Sequence, residues 1–257
     1  MKIDRAIMVL SDNPIYEGFW EYSSKFWSNK FGIKPTLFIY GDFKKIKIDY
    51  NAGEVYKLNY VADVSVNSER DWACTWGLFY GASQFANEVC MTCGIDQAPL
   101  SNKFLNDLEK YDYEDNYVVG FSDGYCDLNT RQKVYPSSHH VAKGKTYKRV
   151  YNIENVWENE VRKVFQHRNN YAGTNHDFWG LDEAHSSFLL QSEPNLIQHV
   201  SNFNTNYLPY RIDRGNNMSY NKELLKSGYY LEVHANRPFA QHKDVLEEIY
   251  NLTPTYK

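Results

Sequence analysis

The sequence predicts an α/β fold, a mostly parallel central sheet flanked by helices in a single domain. Three observations carry this expectation. Residues 6–10 and 36–40 are short apolar runs bounded by turn residues, and the stretch between them has helical periodicity. A strand, a helix and a strand joined by short turns form a parallel pair with a right-handed crossover. A third buried run, residues 89–92, follows another helical stretch, and no repeat or low-complexity linker interrupts the 257 residues.

Taken in order, residues 6–10 form the first strand and Ser11, Asp12, Asn13 and Pro14 the turn after it. Short polar side chains there bond their own backbone. Residues 16–31 read as a helix with Phe19, Trp20, Ser23, Phe26 and Trp27 near one face, ended by Gly32. Residues 36–40 make the second strand, closed by Gly41 and Asp42. In a parallel sheet this puts Ser11, Asp12 and Asn13 at the carboxyl ends of the strands, where ligands bind in open α/β folds. The same three residues are also ordinary turn formers.

Residues 44–61 are polar and alternating and connect strands. Ser68 is placed to cap the next helix, with Glu69 and Asp71 in its first turn. Trp72, Trp76, Phe79 and Tyr80 supply its apolar side. Arg70, at the same helix start, either meets a phosphate, whose oxygens match a guanidinium fork, or pairs with Glu69 or Asp71.

That helix leads into Val89-Cys90-Met91-Thr92-Cys93-Gly94-Ile95-Asp96-Gln97-Ala98-Pro99-Leu100, the stretch on which the chemistry centres. A buried strand ends in Gly94, and a lone carboxylate, Asp96, follows at the sheet edge used for ligands. The plain alternative is that Asp96 caps a helix starting near Ser101. Pro99 is expected to end strand pairing.

Residues 102–110 form a short helix, residues 111–116 an acidic loop and residues 117–122 a strand with a turn at Asp123-Gly124. Residues 135–145 read as a strand ending at a basic, Gly-containing turn. His139 and His140 point to opposite faces of such a strand and so do not share one ion. Lys143 and Lys145 either hold an anionic ligand or are solvated. Residues 147–167 read as one long helix, with Val150, Ile153, Val156, Trp157, Val161, Val164 and Phe165 along one face. Gly180 then precedes Asp182 and Glu183, which open a helix through residues 187–190. Acids suit a helix start through the dipole and capping, and a helix start can also present a carboxylate to a pocket. Residues 229–233 form a strand that delivers His234-Ala235-Asn236-Arg237-Pro238-Phe239, and residues 243–251 form the last helix.

Composition bounds the function. The 22 Tyr, 14 Phe and 6 Trp give apolar area with polar handles, suited to a core and to a sugar-stacking cleft. A net charge of −4 argues against strong nonspecific attraction to nucleic acid or acidic membranes. Of the four cysteines Cys74, Cys90, Cys93 and Cys126, Cys90 and Cys93 form a CxxC. It lies in and just after a strand, with no second pair at zinc spacing, so buried free thiols are expected. No signal peptide or membrane span is visible, and a reducing cytoplasm is the expected location.

In order and spacing, four motifs resemble the GT-A-fold (Rossmann-related) glycosyltransferases that use nucleotide sugars, most closely the small domains of large DNA viruses and phages. The motifs span most of the chain. Met91 to Leu100 is similar to the family's strand, Asp-x-Asp and Pro-Leu. Val141-Ala142-Lys143-Gly144 is similar to a second segment with its following helix. Trp179-Gly180-Leu181-Asp182-Glu183 looks like the acceptor-side Gly-x-Asp-Glu. His234 to Phe239 looks like the C-terminal His and Arg/Lys-Pro-aromatic of glycogenin-like enzymes.

The resemblance implies a donor-binding half over about residues 1–125 and an acceptor-side half over about residues 126–257. It implies a nucleotide diphosphate sugar as donor, a UDP-sugar first, and a glycan or other hydroxyl acceptor. Ser11, Asp12, Asn13, Arg70, Asp96, Lys143 and Arg237 become donor-binding candidates. Asp182 and Glu183 become candidates for the reacting centre, as a general base in an inverting enzyme or as a stabilising or attacking carboxylate in a retaining one. Asp96 and His234 become candidate ligands of Mn²⁺ or Mg²⁺, which would bridge the phosphates. Gly94 departs from the pattern, standing where the first Asp belongs. That leaves open water or another side chain in the shell, weak metal affinity, or a dispensable metal.

Three functional classes follow. The first is a glycosyltransferase, with a narrower version acting on hydroxylated bases of phage DNA; if the chain is viral, its location is the host cytoplasm. The second is a nucleotidyltransferase, disfavoured because no Gly-rich phosphate loop follows the first strand. The third is a noncatalytic nucleotide-sugar-binding module, suggested by Gly94.

Overall fold

A computed structural model describes residues 2–61, 72–108, 111, 115–120, 125–126, 133–167, 180–200 and 210–256. The first half contains β1 (Arg5–Ser11), α1 (Phe19–Lys25, prolonged by a wider π turn over Phe26–Lys30), β2 (Lys34–Tyr40), β3 (Glu54–Leu58), α2 (Trp72–Ser83) and β4 (Val89–Cys93). Then come β5 (Gln97–Pro99), α3 (Lys103–Leu108), β6 (Tyr117–Gly120), β7 (Tyr125–Cys126), β8 (Lys133–Val134), β9 (His140–Lys143), α4 (Gly144–Val150) and α5 (Trp157–Gln166). The last elements are α6 (Leu181–Ser192), β10 (Ile197–Val200), β11 (Arg211–Asp213), α7 (Lys222–Lys226), β12 (Glu232–His234) and α8 (Phe239–Leu252).

The expected architecture is present. A seven-stranded sheet runs in the order β10-β6-β9-β4-β1-β2-β3. β3, β2, β1 and β4 are mutually parallel, as are β6 and β10, and β9 lies antiparallel between β4 and β6. The chain leaves β1 for β2 and β3 and returns to place β4 on the other flank of β1. Strand order reverses there, which opens a crevice outside the carboxyl ends of β1 and β4. A smaller sheet, β11-β12-β5, closes one side of that crevice.

Alternation along the strands divides the core. Ala6, Met8 and Leu10 face a cluster that includes Phe19, Trp20, Phe26, Leu246 and Ile249 from α1, its π turn and α8. Ile7 and Val9 face the other cluster, with Trp76, Phe79, Tyr147 and Val161 from α2, α4 and α5. Successive side chains of a strand point to opposite faces, so the all-apolar run of β1 supplies both cores at once. Cys74, Cys90 and Cys93 are buried free thiols, as expected. No helix among the described residues is long and apolar enough to cross a membrane.

Four local expectations are corrected. Pro99 does not end pairing. It lies in β5 opposite Glu232, and the backbone continues with Leu100 N–H donating to Leu231 O at 2.8 Å. β5 is an edge strand, the setting that tolerates a missing donor. The long helix over 147–167 is two helices, because Asn152 turns left-handed (φ 49°) after α4 and leaves Val156 exposed. The first helix starts at Phe19, after Gly18 in a left-handed conformation, and Tyr16 belongs to a separate 3₁₀ turn. Residues 54–58 of the expected connection form β3, at the sheet edge. The cap proposed at Ser68 and the turn at Asp123-Gly124 lie outside the described residues.

The amino-terminal edge of the sheet is tied by Arg5, a residue only 2% exposed. It donates to Glu88 at 2.8 and 3.0 Å, to Thr36 Oγ1 at 2.6 Å and to Glu54, and it stacks on Phe85 at 3.7 Å. One guanidinium therefore links β1, β2, β3 and the entry to β4. Arg5→Met is expected to lower unfolding stability by about 2–3 kcal/mol, the scale of hydrogen bonds to charged groups. Urea unfolding checks this through a lower midpoint at unchanged slope. An unchanged midpoint would show the network to be ornamental.

Candidate functional site

The crevice at the carboxyl ends of β1 and β4 is a cavity of about 350 Å³, within the range of small-molecule sites. Its walls come from distant parts of the chain: Ser11 at the end of β1, Tyr16, Thr75 of α2, the Gly94–Gln97 turn, the 136–139 loop, the start of α6, and Arg211, Arg214, Glu232, His234 and Arg237.

Asp96 anchors the cationic wall. Its backbone carbonyl accepts from Ala235 N–H at 2.9 Å, an extension of the β5–β12 pairing. This stitching brings the C-terminal motif onto the Gly94–Gln97 turn. Arg237 Nε donates to Asp96 Oδ2 at 2.7 Å, Arg214 Nη1 reaches the same oxygen at 3.4 Å, and His234 Nε2 stands 3.5 Å away. Arg237 also donates to Tyr16 Oη at 2.6 Å. Burial alone would raise the carboxyl pKa of Asp96. The His234 hydrogen bond and the Arg237 and Arg214 charges outweigh it and hold the group well below the usual carboxylate range. Asp96 therefore does not cap α3; Ser101 Oγ accepts from Lys103 N–H instead.

The second wall is acidic. Gly180, at φ 83°, turns the chain into α6 in the left-handed region that suits glycine. Asp182 is 3% exposed and accepts a short hydrogen bond from Ser137 Oγ, while Glu183 Oε1 accepts from Ser137 N–H at 3.2 Å. Neighbouring residues at a helix start point in different directions, so one acid is expected in the cleft while the other caps or meets solvent. Both instead line the cavity and grip one serine, because the 136–139 loop folds over the start of the helix. Burial, then the neighbouring Glu183 charge, raises the Asp182 pKa, against weaker opposing bonds from Ser137 and Thr75. A carboxyl whose pKa is raised toward neutrality in this way is suited to exchanging a proton.

The other candidates divide. Ser11 lines the cavity. Asp12 and Asn13 are spent on local structure: Asp12 pairs with Lys45 at 3.0 Å and accepts from Asp42 N–H, and Asn13 caps Ile15. Lys143 is not at the site. β9 runs antiparallel, so its carboxyl end lies opposite Val89 at the far edge of the sheet, and Lys143 meets Asp115 at 3.7 Å there. Arg70 lies outside the described residues. His139 and His140 diverge as expected, the first to Glu232 at 2.9 Å and the second to Tyr151 Oη at 2.9 Å.

For Mn²⁺ or Mg²⁺ the donor set does not fit. Asp96 and His234 are together as expected, yet Asp96 Oδ2 is taken by cationic donors. Like unit charges about 4 Å apart repel by about 4 kcal/mol at an effective dielectric of about 20, and a dication doubles that. Asp213 lies 3.4 Å from His234 Nδ1, on the side of the ring away from Asp96, so the two carboxylates do not converge. Position 94 offers no second acid, and a Cβ there would lie 2.6 Å from Gln97 Oε1, which bonds the Gly94 N–H. Among the described residues no three His, Cys, Asp or Glu side chains form an ion-holding group.

Sequence reasoning missed Arg211, Arg214, Glu232 and Ser137. Two signals were there to use. Glu232 interrupts the apolar run Leu231-Glu232-Val233, and a lone acid in a buried strand needs a cationic partner, here Arg211 at 2.6 Å and His139. Arg211 and Arg214 stand on either side of Ile212-Asp213, of which Ile212 is fully buried.

No family model matches the chain, and no curated protein does. Among solved structures, the galactosyltransferase LgtC in complex with donor and acceptor sugar analogues matches with a TM-score of 0.56 at 10% identity, over 98% of this chain and 97% of that one. An active-site mutant of LgtC matches equally well. The glycosyltransferase GlyE of Streptococcus pneumoniae TIGR4 gives a TM-score of 0.49 at 10% identity, over 100% of this chain and 65% of that one. The LgtC likeness is one of fold: this chain has the GT-A fold.

The raised Asp182 pKa has a testable sign. The folded protein holds this proton more tightly than the unfolded chain, so stability present at low pH is lost as pH rises from the ordinary carboxylate range through the folded value. Asp182→Asn mimics the neutral form. Its melting temperature relative to the native protein should therefore rise between about pH 4 and about pH 8. A difference constant across that window, read by differential scanning fluorimetry, would contradict the assignment.

Proposed function

We propose that this chain is a glycosyltransferase that moves a sugar from a nucleotide diphosphate sugar, UDP-sugars first, to a hydroxyl acceptor such as a glycan. The supporting observation is that one cavity at the strand-order reversal carries Arg214 and Arg237 on one wall and Asp182 and Glu183 on another. Guanidiniums suit a diphosphate, whose negative charge grows as the bond to the anomeric carbon breaks. Carboxylates suit the other partner of the reaction. They take the proton of an attacking hydroxyl in an inverting course, or face the positive charge at the anomeric carbon in a retaining one. The anomeric configuration of the product separates the two.

In this reading Ser11 meets the nucleoside. Donor contacts come from both halves of the chain, since residues 211–237 pack on the Asp96 turn. The motif likeness to the small viral and phage domains belongs to the same proposal, as does a cytoplasmic setting. A hydroxylated DNA base is the less favoured acceptor, because a chain of net charge −4 lacks the electrostatic footprint of nucleic-acid binding.

A thermal-shift screen of UDP-, GDP-, CDP-, ADP- and dTDP-sugars tests the donor, since a ligand of the folded state raises the melting temperature by mass action. With the donor identified, Asp182→Asn should slow transfer by about a hundredfold or more while leaving the donor-induced shift in place. Undiminished transfer in both Asp182→Asn and Glu183→Gln would remove the acids from the reaction. Binding of a nucleotide sugar without transfer to any acceptor, or release to water, would favour the noncatalytic module.

A further inference from the structure

We propose that the diphosphate of the donor is held without a divalent metal, by an arginine clamp in which Arg214 and Arg237 take the place of the cation. The inference rests on the nucleotide-sugar reading above and names what that site requires.

Four observations carry it. Asp96, the acid at the turn, has its Oδ2 committed to Arg237 at 2.7 Å and Arg214 at 3.4 Å. Position 94 is a glycine, so the turn carries no second acid, and Gln97 Oε1 instead accepts from the Gly94 N–H at 3.0 Å. Asp213, the other nearby carboxylate, lies across the His234 ring and also meets Arg211 Nε at 3.2 Å. Arg214 and Arg237 themselves come from separate elements, the turn after β11 and the segment after β12, and converge on one cavity wall.

Counted at Asp96 itself the charges favour an anion, while over the wider wall Arg211, Arg214 and Arg237 are matched by Asp96, Asp213 and Glu232. Asp96 supplies one negative charge against two permanent positive ones. Arg211 does not add to the clamp, because it is engaged by Glu232 and Asp213. A guanidinium has five N–H donors in a planar fork. Arg237 uses its Nε for Asp96 and Nη1 for Tyr16, which fixes its plane and leaves N–H groups for phosphate oxygens. Arg214 is 38% exposed in its side chain and makes only a long contact to Asp96, so turning toward a phosphate costs it little. Asp96 is then the aligner of the clamp. The clamp adds no covalent step: it binds the diphosphate and stabilises the charge that the leaving group gains.

The test is calorimetric titration of UDP into the protein, first with chelator and then with excess MnCl₂. GDP and the other nucleoside diphosphates follow if UDP does not bind. The clamp predicts affinities in the two buffers that agree within about threefold. Arg214→Gln should weaken diphosphate binding about tenfold in chelator, the equivalent of one lost charge-assisted hydrogen bond. Binding of the matching nucleoside monophosphate should change less. Arg237→Gln is expected to act in the same direction, and circular dichroism guards against unfolding through its Tyr16 contact. Should Arg237→Gln fail to fold, the native titrations and Arg214→Gln still decide the matter. Diphosphate binding that requires Mn²⁺, or that is indifferent to Arg214→Gln, overturns the clamp and leaves the nucleotide-sugar reading standing. No binding of any nucleoside diphosphate in either buffer removes both.

Discussion

The site depends on one buried carboxylate compensated by cations that are far away in sequence. Asp96 is 6% exposed and would be costly to bury alone. Arg237 and Arg214 make that burial tolerable, and they are supplied from 141 and 118 residues further along the chain. The backbone bond from Ala235 to Asp96 holds the two segments in register. The β5–β12 pairing continues this contact and joins the Asp96 turn to the segment that carries His234 and Arg237. A buried charge that loses its partner is among the more damaging local changes a fold can suffer.

The cavity therefore has two electrostatic characters. Around Asp96 the balance is cationic, suited to a phosphate group. At the start of α6 two acids and a serine form a knot in which burial favours the protonated carboxyl. The strand-order reversal puts both at the carboxyl edge of the sheet, while Thr92 Oγ1, donating to Ser137 O at 2.8 Å, ties the acidic wall to β4. The cationic and acidic walls are thus both tied to the end of β4.

Much of the fold was legible because its signals are local and strong. The apolar runs of β1, β2 and β4 admit little but buried strands, and the crossover rules arrange them. Gly180 followed by two acids announced the start of α6. Errors arose where distant partners overrode local rules. Pro99 became part of a strand because β12 offered an edge, and the stripe over 147–167 read as continuous because two helices happened to share a phase. In the site, Asp96, His234 and Arg237 were found through motif order. Lys143 was misplaced because the antiparallel direction of β9 is invisible in its own residues. Arg214 was missed because nothing near it in sequence shows that it meets Asp96.

In the proposed function one cavity binds a diphosphate at Arg214 and Arg237 and presents the sugar to the Asp182 and Glu183 wall. A crystal structure of the protein with a nonhydrolysable nucleotide-sugar analogue, grown in chelator, tests it most directly. Phosphate oxygens are expected within hydrogen-bond distance of both guanidiniums, about 2.7–3.0 Å, with the sugar ring on the side of α6. Phosphates bound away from Arg214 and Arg237, or a sugar directed away from Asp182 and Glu183, would contradict it.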